Sequence, residues 1–113
     1  MSCLFCSIVE GKIPAKIVRT DDHTVAFHDI HPAAPTHVLV IPKKHLVSIA
    51  DASSDDVALL GHVLFAAKEV AQALSLDAGG YRVVLNTGKD AGQSVFHLHA
   101  HVLAGRALAW PPG

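Results

Sequence analysis

An α+β domain, built on a mainly antiparallel sheet of about five strands, is the fold class predicted by three observations. Short β-prone runs recur along the chain, a single long stretch has helical periodicity, and the two do not alternate as regular βαβ units. The 113 residues, half of them apolar, suffice for one core, so residues 1–113 are read as a single domain. Residues 1–12 form an N-terminal segment carrying a cysteine pair and a short helix, and residues 105–113 a C-terminal tail.

Lys16 to Thr20 and Thr24 to His28 are β-prone runs separated by Asp21-Asp22-His23, whose side chains can cap their own backbone, so a hairpin is expected. After Pro32 and Pro35, the run His37 to Pro42 is rich in branched apolar residues and bounded by proline, which predicts a central, buried strand. Ser53, Ser54, Asp55 and Asp56 place short oxygen acceptors and negative charge at a helix start, and the helix is expected to reach about Ser75. Its apolar stripe is read as Val57, Leu60, Leu64, Ala67, Val70, Ala71 and Leu74, widened by His62 and Val63. Asp77-Ala78-Gly79-Gly80 ends it. Tyr81 to Asn86 predicts another strand, and Thr87 to Ser94 a glycine-containing loop. The tail cannot continue a ladder through Pro111 and Pro112; the single Trp110 within it favours docking against a surface.

The densest chemical signal is His97-Leu98-His99-Ala100-His101, followed by Val102 and Leu103. In an extended strand, alternate side chains share a face about 6.5 to 7 Å apart, so three imidazoles would line one side while Leu98, Ala100 and Val102 face a core. Each imidazole in a buried row needs a hydrogen-bond partner, which argues for chemistry rather than packing. Nine histidines are also the groups able to change charge near neutral pH.

The formal net charge of −1 argues against nucleic acid as a bulk partner, and Lys43-Lys44 reads as a solvated turn. No run approaches the roughly 20 apolar residues of a membrane span, and Met1 to Cys6 has no basic segment leading into an apolar one. A cytoplasmic protein is expected, in which Cys3 and Cys6 stay reduced and form a metal or redox pair rather than a disulfide. A thioredoxin-like role is disfavoured, because the pair does not sit in a βαβ unit.

The histidine run, with Gly92-Gln93-Ser94-Val95 before it, resembles the histidine triad (HIT) superfamily. Ile13-Pro14-Ala15-Lys16, Phe27-His28-Asp29-Ile30, Pro35-Thr36-His37, Ile41 to His45 and Trp110-Pro111-Pro112-Gly113 resemble its nucleotide-binding branch. The resemblance covers nearly the whole chain. It implies a homodimer that joins two sheets and hydrolyses purine nucleoside 5′-phosphoramidates through a nucleotidyl-histidine, with no cofactor required for catalysis.

On that resemblance His99 is the nucleophile, and His101 donates to a non-bridging phosphate oxygen. Ser94 and the Gly92 backbone contact the phosphate or leaving amine, with Gln93 in the same loop and Asn86 within reach. His37 orients the site or relays a proton, against the alternative of an ordinary strand-end histidine. Asp29 accepts from the ribose hydroxyls with His28 as helper, while Phe5, Ile8, Phe27 and Ile30 form the slot for the base. Trp110 reaches the pocket of the partner protomer. Cys3 and Cys6 are closed by His45 and His97 into a structural zinc site in some triad proteins; two plain thiols are the alternative. Other readings are a nucleotide-binding scaffold, a dinucleoside polyphosphate or nucleotidyl hydrolase, and a purely structural zinc module.

Overall fold

The computed structural model describes residues 3–113; Met1 and Ser2, which open the N-terminal segment, lie outside the described residues. Helix α1 (Leu4–Val9) is followed by strands β1 (Ile17–Thr20), β2 (Thr24–His28) and β3 (Thr36–Pro42), helix α2 (Val57–Ala73), and strands β4 (Arg82–Leu85) and β5 (Ala100–Ala104). The five strands form one sheet in the order β1-β2-β3-β5-β4, each neighbouring pair antiparallel.

The β1–β2 turn forms as its sequence predicts. One oxygen of Asp21 accepts from the backbone N–H of His23 at 2.8 Å and of Thr24 at 2.7 Å, and the other accepts from the Thr24 hydroxyl and from Arg19. Burial alone would raise the Asp21 pKa, but these donors outweigh it and hold the carboxyl at about 2.

β3 is buried along nearly its whole length, as expected of the central strand. Alternation then sorts the sheet into two faces. Ala26, Val38, Val40, Ala100 and Val102 pack under α2 through Val63, Ala66, Ala67 and Val70. Val25, Phe27, Leu39 and Ile41 pack on the opposite face against Phe5 of α1.

α2 departs from its predicted register. A 3-10 turn, Ser54–Asp56, precedes it, with Ser53 and Asp56 forming a reciprocal capping box. The buried face runs through Val63, Ala66, Ala67, Val70 and Ala71, whereas Val57 is 67% and Leu64 53% exposed. The sequence holds two apolar stripes on α2. Small residues let the Ala66-Ala67-Ala71 stripe approach the sheet closely, and the bulkier Val57-Leu64-Phe65 stripe is left outside. Lys44 is also more than a solvated turn: its ammonium lies 2.7 Å from the buried carboxylate of Asp56, which holds that carboxyl below its ordinary range.

The tail turns away from β5 at Gly105, whose φ of +98° and 2.7 Å approach of a would-be Cβ to Pro35 Cβ leave room for no side chain. It then crosses the β4 edge, where Arg82 Nη2 donates to the carbonyls of Leu108 at 3.3 Å and Ala109 at 3.0 Å. The segment is docked but the Trp110 indole is not, being 80% exposed beside the Arg82 guanidinium.

Candidate active site

The site lies on the sheet face opposite α2. β5 begins only at Ala100, so the three histidines do not share one continuous strand. His97 sits in a bend, its successor Leu98 bonding through its N–H to the Leu46 carbonyl at 2.6 Å. The His97 ring is fully buried and its Nε2 lies 2.8 Å from the carbonyl of Pro42, at the end of β3. Leu98, Ala100 and Val102 do face the core, as alternation requires.

His99 Nδ1 lies 2.7 Å from the backbone carbonyl of His97. A carbonyl only accepts, so the ring proton is on Nδ1 and Nε2 carries a lone pair. Phe5 stands edge-on to this ring, centroids 5.2 Å apart, and edge-on to Phe27 at 5.5 Å.

A second chain of bonds fixes His101. Ala33 N–H donates to His37 Nδ1 at 2.9 Å, which places the His37 proton on Nε2. That nitrogen is 2.8 Å from His101 Nδ1, so it donates there and leaves His101 with its own proton on Nε2. The register explains the contact: His101 pairs with Leu39 across β3, which puts His37 at the diagonal position. Burial, reinforced by His99 and His37, pushes the His101 pKa down to about 4, and burial likewise lowers that of His37 against the pull of Asp29. Near pH 7 both are neutral with defined tautomers. The rings of His99 and His101 are 4.9 Å apart, so an available lone pair and an available N–H donor stand side by side.

A cavity of about 380 Å³ beside the triad is lined by Phe5, Ile8, Phe27, Asp29, Ile30 and Ser94 among others. His28 lines it too. Asp29 is fixed at its mouth, one oxygen accepting from His31 N–H at 2.8 Å and the other lying 3.4 Å from His37 Nε2. Asn86 directly follows β4, where the Leu85–Ala100 pairing sets it opposite His99. Gly92, at a φ of +87°, turns the loop that presents Ser94. Gln93 has a different job: its amide donates to the carbonyls of Val47 at 2.6 Å and Val95 at 3.1 Å and accepts from Gly88 N–H at 2.9 Å. It organises the loop through backbone groups. Trp110 does not line this cavity in the single chain. The Ala33 amide and His31 escaped sequence reasoning; the Asp29-x-His31 spacing of an Asx turn was the signal for the latter.

Cys3, Cys6, His45 and His97 converge on the far side of Phe5. Because His97 Nε2–H is committed to Pro42, its Nδ1 lone pair faces the other three donors. His97 Nδ1 is 3.5 Å from both sulfurs and 3.1 Å from His45 Nδ1, and Cys6 Sγ is 3.3 Å from His45 Nδ1. A tetrahedral zinc with bonds of about 2.3 Å to sulfur and about 2.0 to 2.1 Å to nitrogen has sulfur–nitrogen edges of about 3.5 Å and a nitrogen–nitrogen edge of about 3.4 Å. The four donors fit such an ion.

This fold and paired-histidine site define an α+β protein of the triad type, and the relatives agree. The HIT domain family matches residues 10–108. The chain is 51% identical over 110 residues to an uncharacterized HIT-like protein of Synechocystis sp., covering 97% of this chain and 96% of that one. It superposes on a HIT family hydrolase from Legionella pneumophila with a TM-score of 0.96 at 51% identity, covering 99% and 100% of the two chains. A histidine triad nucleotide-binding protein from Candida albicans gives a TM-score of 0.83 at 34% identity, covering 97% and 83%. The chain belongs to the HIT family.

Proposed function

We propose that the chain is a purine nucleoside phosphoramidase that cleaves the P–N bond of nucleoside 5′-phosphoramidates through a nucleotidyl-His99. The observation that carries this reading is the 2.7 Å bond from His99 Nδ1 to the His97 carbonyl, which selects the tautomer of the neutral ring whose lone pair is on Nε2. Nε2 attacks the α-phosphorus and the P–N bond breaks; the amine leaves, taking a proton from solvent at the open side. Water then attacks phosphorus and gives up a proton to solvent, the His99–phosphorus bond breaks, and nucleoside monophosphate leaves with neutral His99 regenerated. His101 Nε2–H, together with Ser94 and backbone N–H groups near Gly92, supplies donors to the phosphoryl oxygens. The apolar walls beside Phe5 and Phe27 suit a flat base, and the Asp29 carboxylate suits a ribose diol.

Two further parts of the reading rest on surfaces. Val57, Leu64 and Phe65 leave an apolar stripe on α2, and β4 is an edge strand of the sheet; together they support a homodimer that extends the sheet and brings Trp110 to the partner's pocket. Cys3, Cys6, His45 and His97 would hold a zinc ion, whose contribution is to tie α1 to the sheet, and two unpaired thiols accord with a cytoplasmic protein. No helix is long and apolar enough to cross a membrane among the described residues.

The test is mass spectrometry of acid-quenched reactions with an adenosine phosphoramidate. A nucleotide adduct on His99, and its absence together with loss of turnover in His99→Ala, are expected. Full turnover by His99→Gly would refute the mechanism.

A further inference from the structure

We infer that His97 is a positioning residue for catalysis: its ring, gripped by the Cys3-Cys6-His45 cluster, sets the carbonyl that fixes the His99 tautomer. This rests on the reading of His99 as nucleophile and goes beyond a metal that merely staples α1 to the sheet.

The argument is one of shared atoms. His97 is fully buried and every polar group of its side chain is committed, Nε2 to Pro42 and Nδ1 to the cluster. The residue lies in a bend before β5, outside the ladder, and its carbonyl shares a peptide plane with the Leu98 N–H that bonds to Leu46 at 2.6 Å. The carbonyl's orientation is therefore governed by that bond, next in sequence to His45, and by the two anchors of the ring. That carbonyl is the acceptor 2.7 Å from His99 Nδ1. A second link runs through α1: Phe5, flanked in sequence by Cys3 and Cys6, stands edge-on to both His97 and His99, at 6.0 and 5.2 Å. An ion at the cluster holds both ends of this arrangement. Without it, α1 and the Nδ1 side of the His97 ring lose their shared restraint and the ring is held at Pro42 alone, so the carbonyl's aim loosens and His99 divides between two tautomers, only one of which presents a lone pair at Nε2.

The experiment compares zinc-loaded protein, protein stripped with a chelator, and a His45→Ala variant, which alters an exposed ligand and touches neither Phe5 nor His99. Zinc content is measured alongside. Histidine nitrogen NMR should show one His99 tautomer, protonated at Nδ1, in the loaded protein, and averaged nitrogen shifts in the other two. The rate of nucleotidyl transfer should fall about tenfold in both with KM within about twofold, a split that reports positioning rather than binding. Should the stripped chain unfold, cadmium-loaded protein replaces it: the longer-bonding ion displaces His97, and both the His99 shifts and kcat are expected to move while circular dichroism does not. Unchanged His99 nitrogens and kcat in these folded forms overturn the inference, as does the absence of any stoichiometric metal. Failure of the loaded protein to form a nucleotidyl-His99 would overturn the proposed reaction instead, leaving the tautomer result to be read on its own.

Discussion

His37 Nε2 donates to His101 Nδ1 across 2.8 Å, and the proton it uses is fixed by a backbone amide on its other side, Ala33 N–H to His37 Nδ1. A main-chain group thus decides which nitrogen of His101 carries the proton. Replacing His37 with Gln breaks this succession and lets His101 choose its tautomer. The single-turnover rate is expected to fall about 10- to 100-fold with little change in nucleotide affinity, measured by rapid quench and by equilibrium titration of AMP.

The same burial makes stability depend on pH. His101 has a folded pKa of about 4 against an unfolded value of about 6.5, so between these the unfolded chain binds more protons. Stability therefore falls as pH drops from about 6.5 towards 4, and His37, lowered in the same direction, adds to the fall. Urea midpoints at pH 7.5 and 5 should differ more in the wild type than in His101→Asn; equal differences would remove His101 from the account.

Asp21 acts with the opposite sign. Its folded pKa of about 2 lies below the unfolded value, so its stabilisation is present above about pH 4 and lost as pH falls through 2. Allowing for solvent screening at a part-exposed turn, Asp21→Asn should cost about 1 to 2 kcal/mol at pH 7. The deficit should vanish near pH 2 in thermal or urea unfolding; a deficit that persists there would assign the loss to turn geometry alone.

Gln93→Ala would leave the Val47 and Val95 carbonyls and the Gly88 N–H without their partner. A loss of about 2 to 3 kcal/mol is expected, together with weaker binding of nucleotide because the loop presenting Ser94 is no longer held. Calorimetric unfolding and titration with AMP check the two parts.

On α2, Leu64→Glu places a charge in the exposed apolar stripe. Dissociation of the proposed dimer is expected by sedimentation, with far-ultraviolet circular dichroism unchanged. A wild type that sediments as a monomer would remove this surface from the reading.

Much of this was legible because period-2 alternation is a local property. Leu98, Ala100 and Val102 announced which way His99 and His101 would face, and the bounded apolar run His37–Pro42 announced the central strand. Asp21 announced its turn, since a carboxylate two and three residues ahead of free N–H groups can meet both. The α2 register was not legible, because Val57-Leu64 and Ala67-Ala71 both satisfy a helical repeat and only packing distance to the sheet chooses between them. Nor could spacing show that Lys44 meets Asp56, that Gln93 spends its amide on three backbone groups, or that β5 starts three residues late. Those depend on where the loops close in space.

β3 carries His37 near one end and the Pro42 carbonyl that anchors His97 at the other. It works as a gauge bar between two stations that must stay in step. Point changes along its apolar interior would leave that spacing intact, whereas inserting or deleting a single residue would slide one station relative to the other and reverse the facing of everything beyond it. Natural length variation in this protein should therefore gather in the turns and the tail, and spare the middle of the sheet.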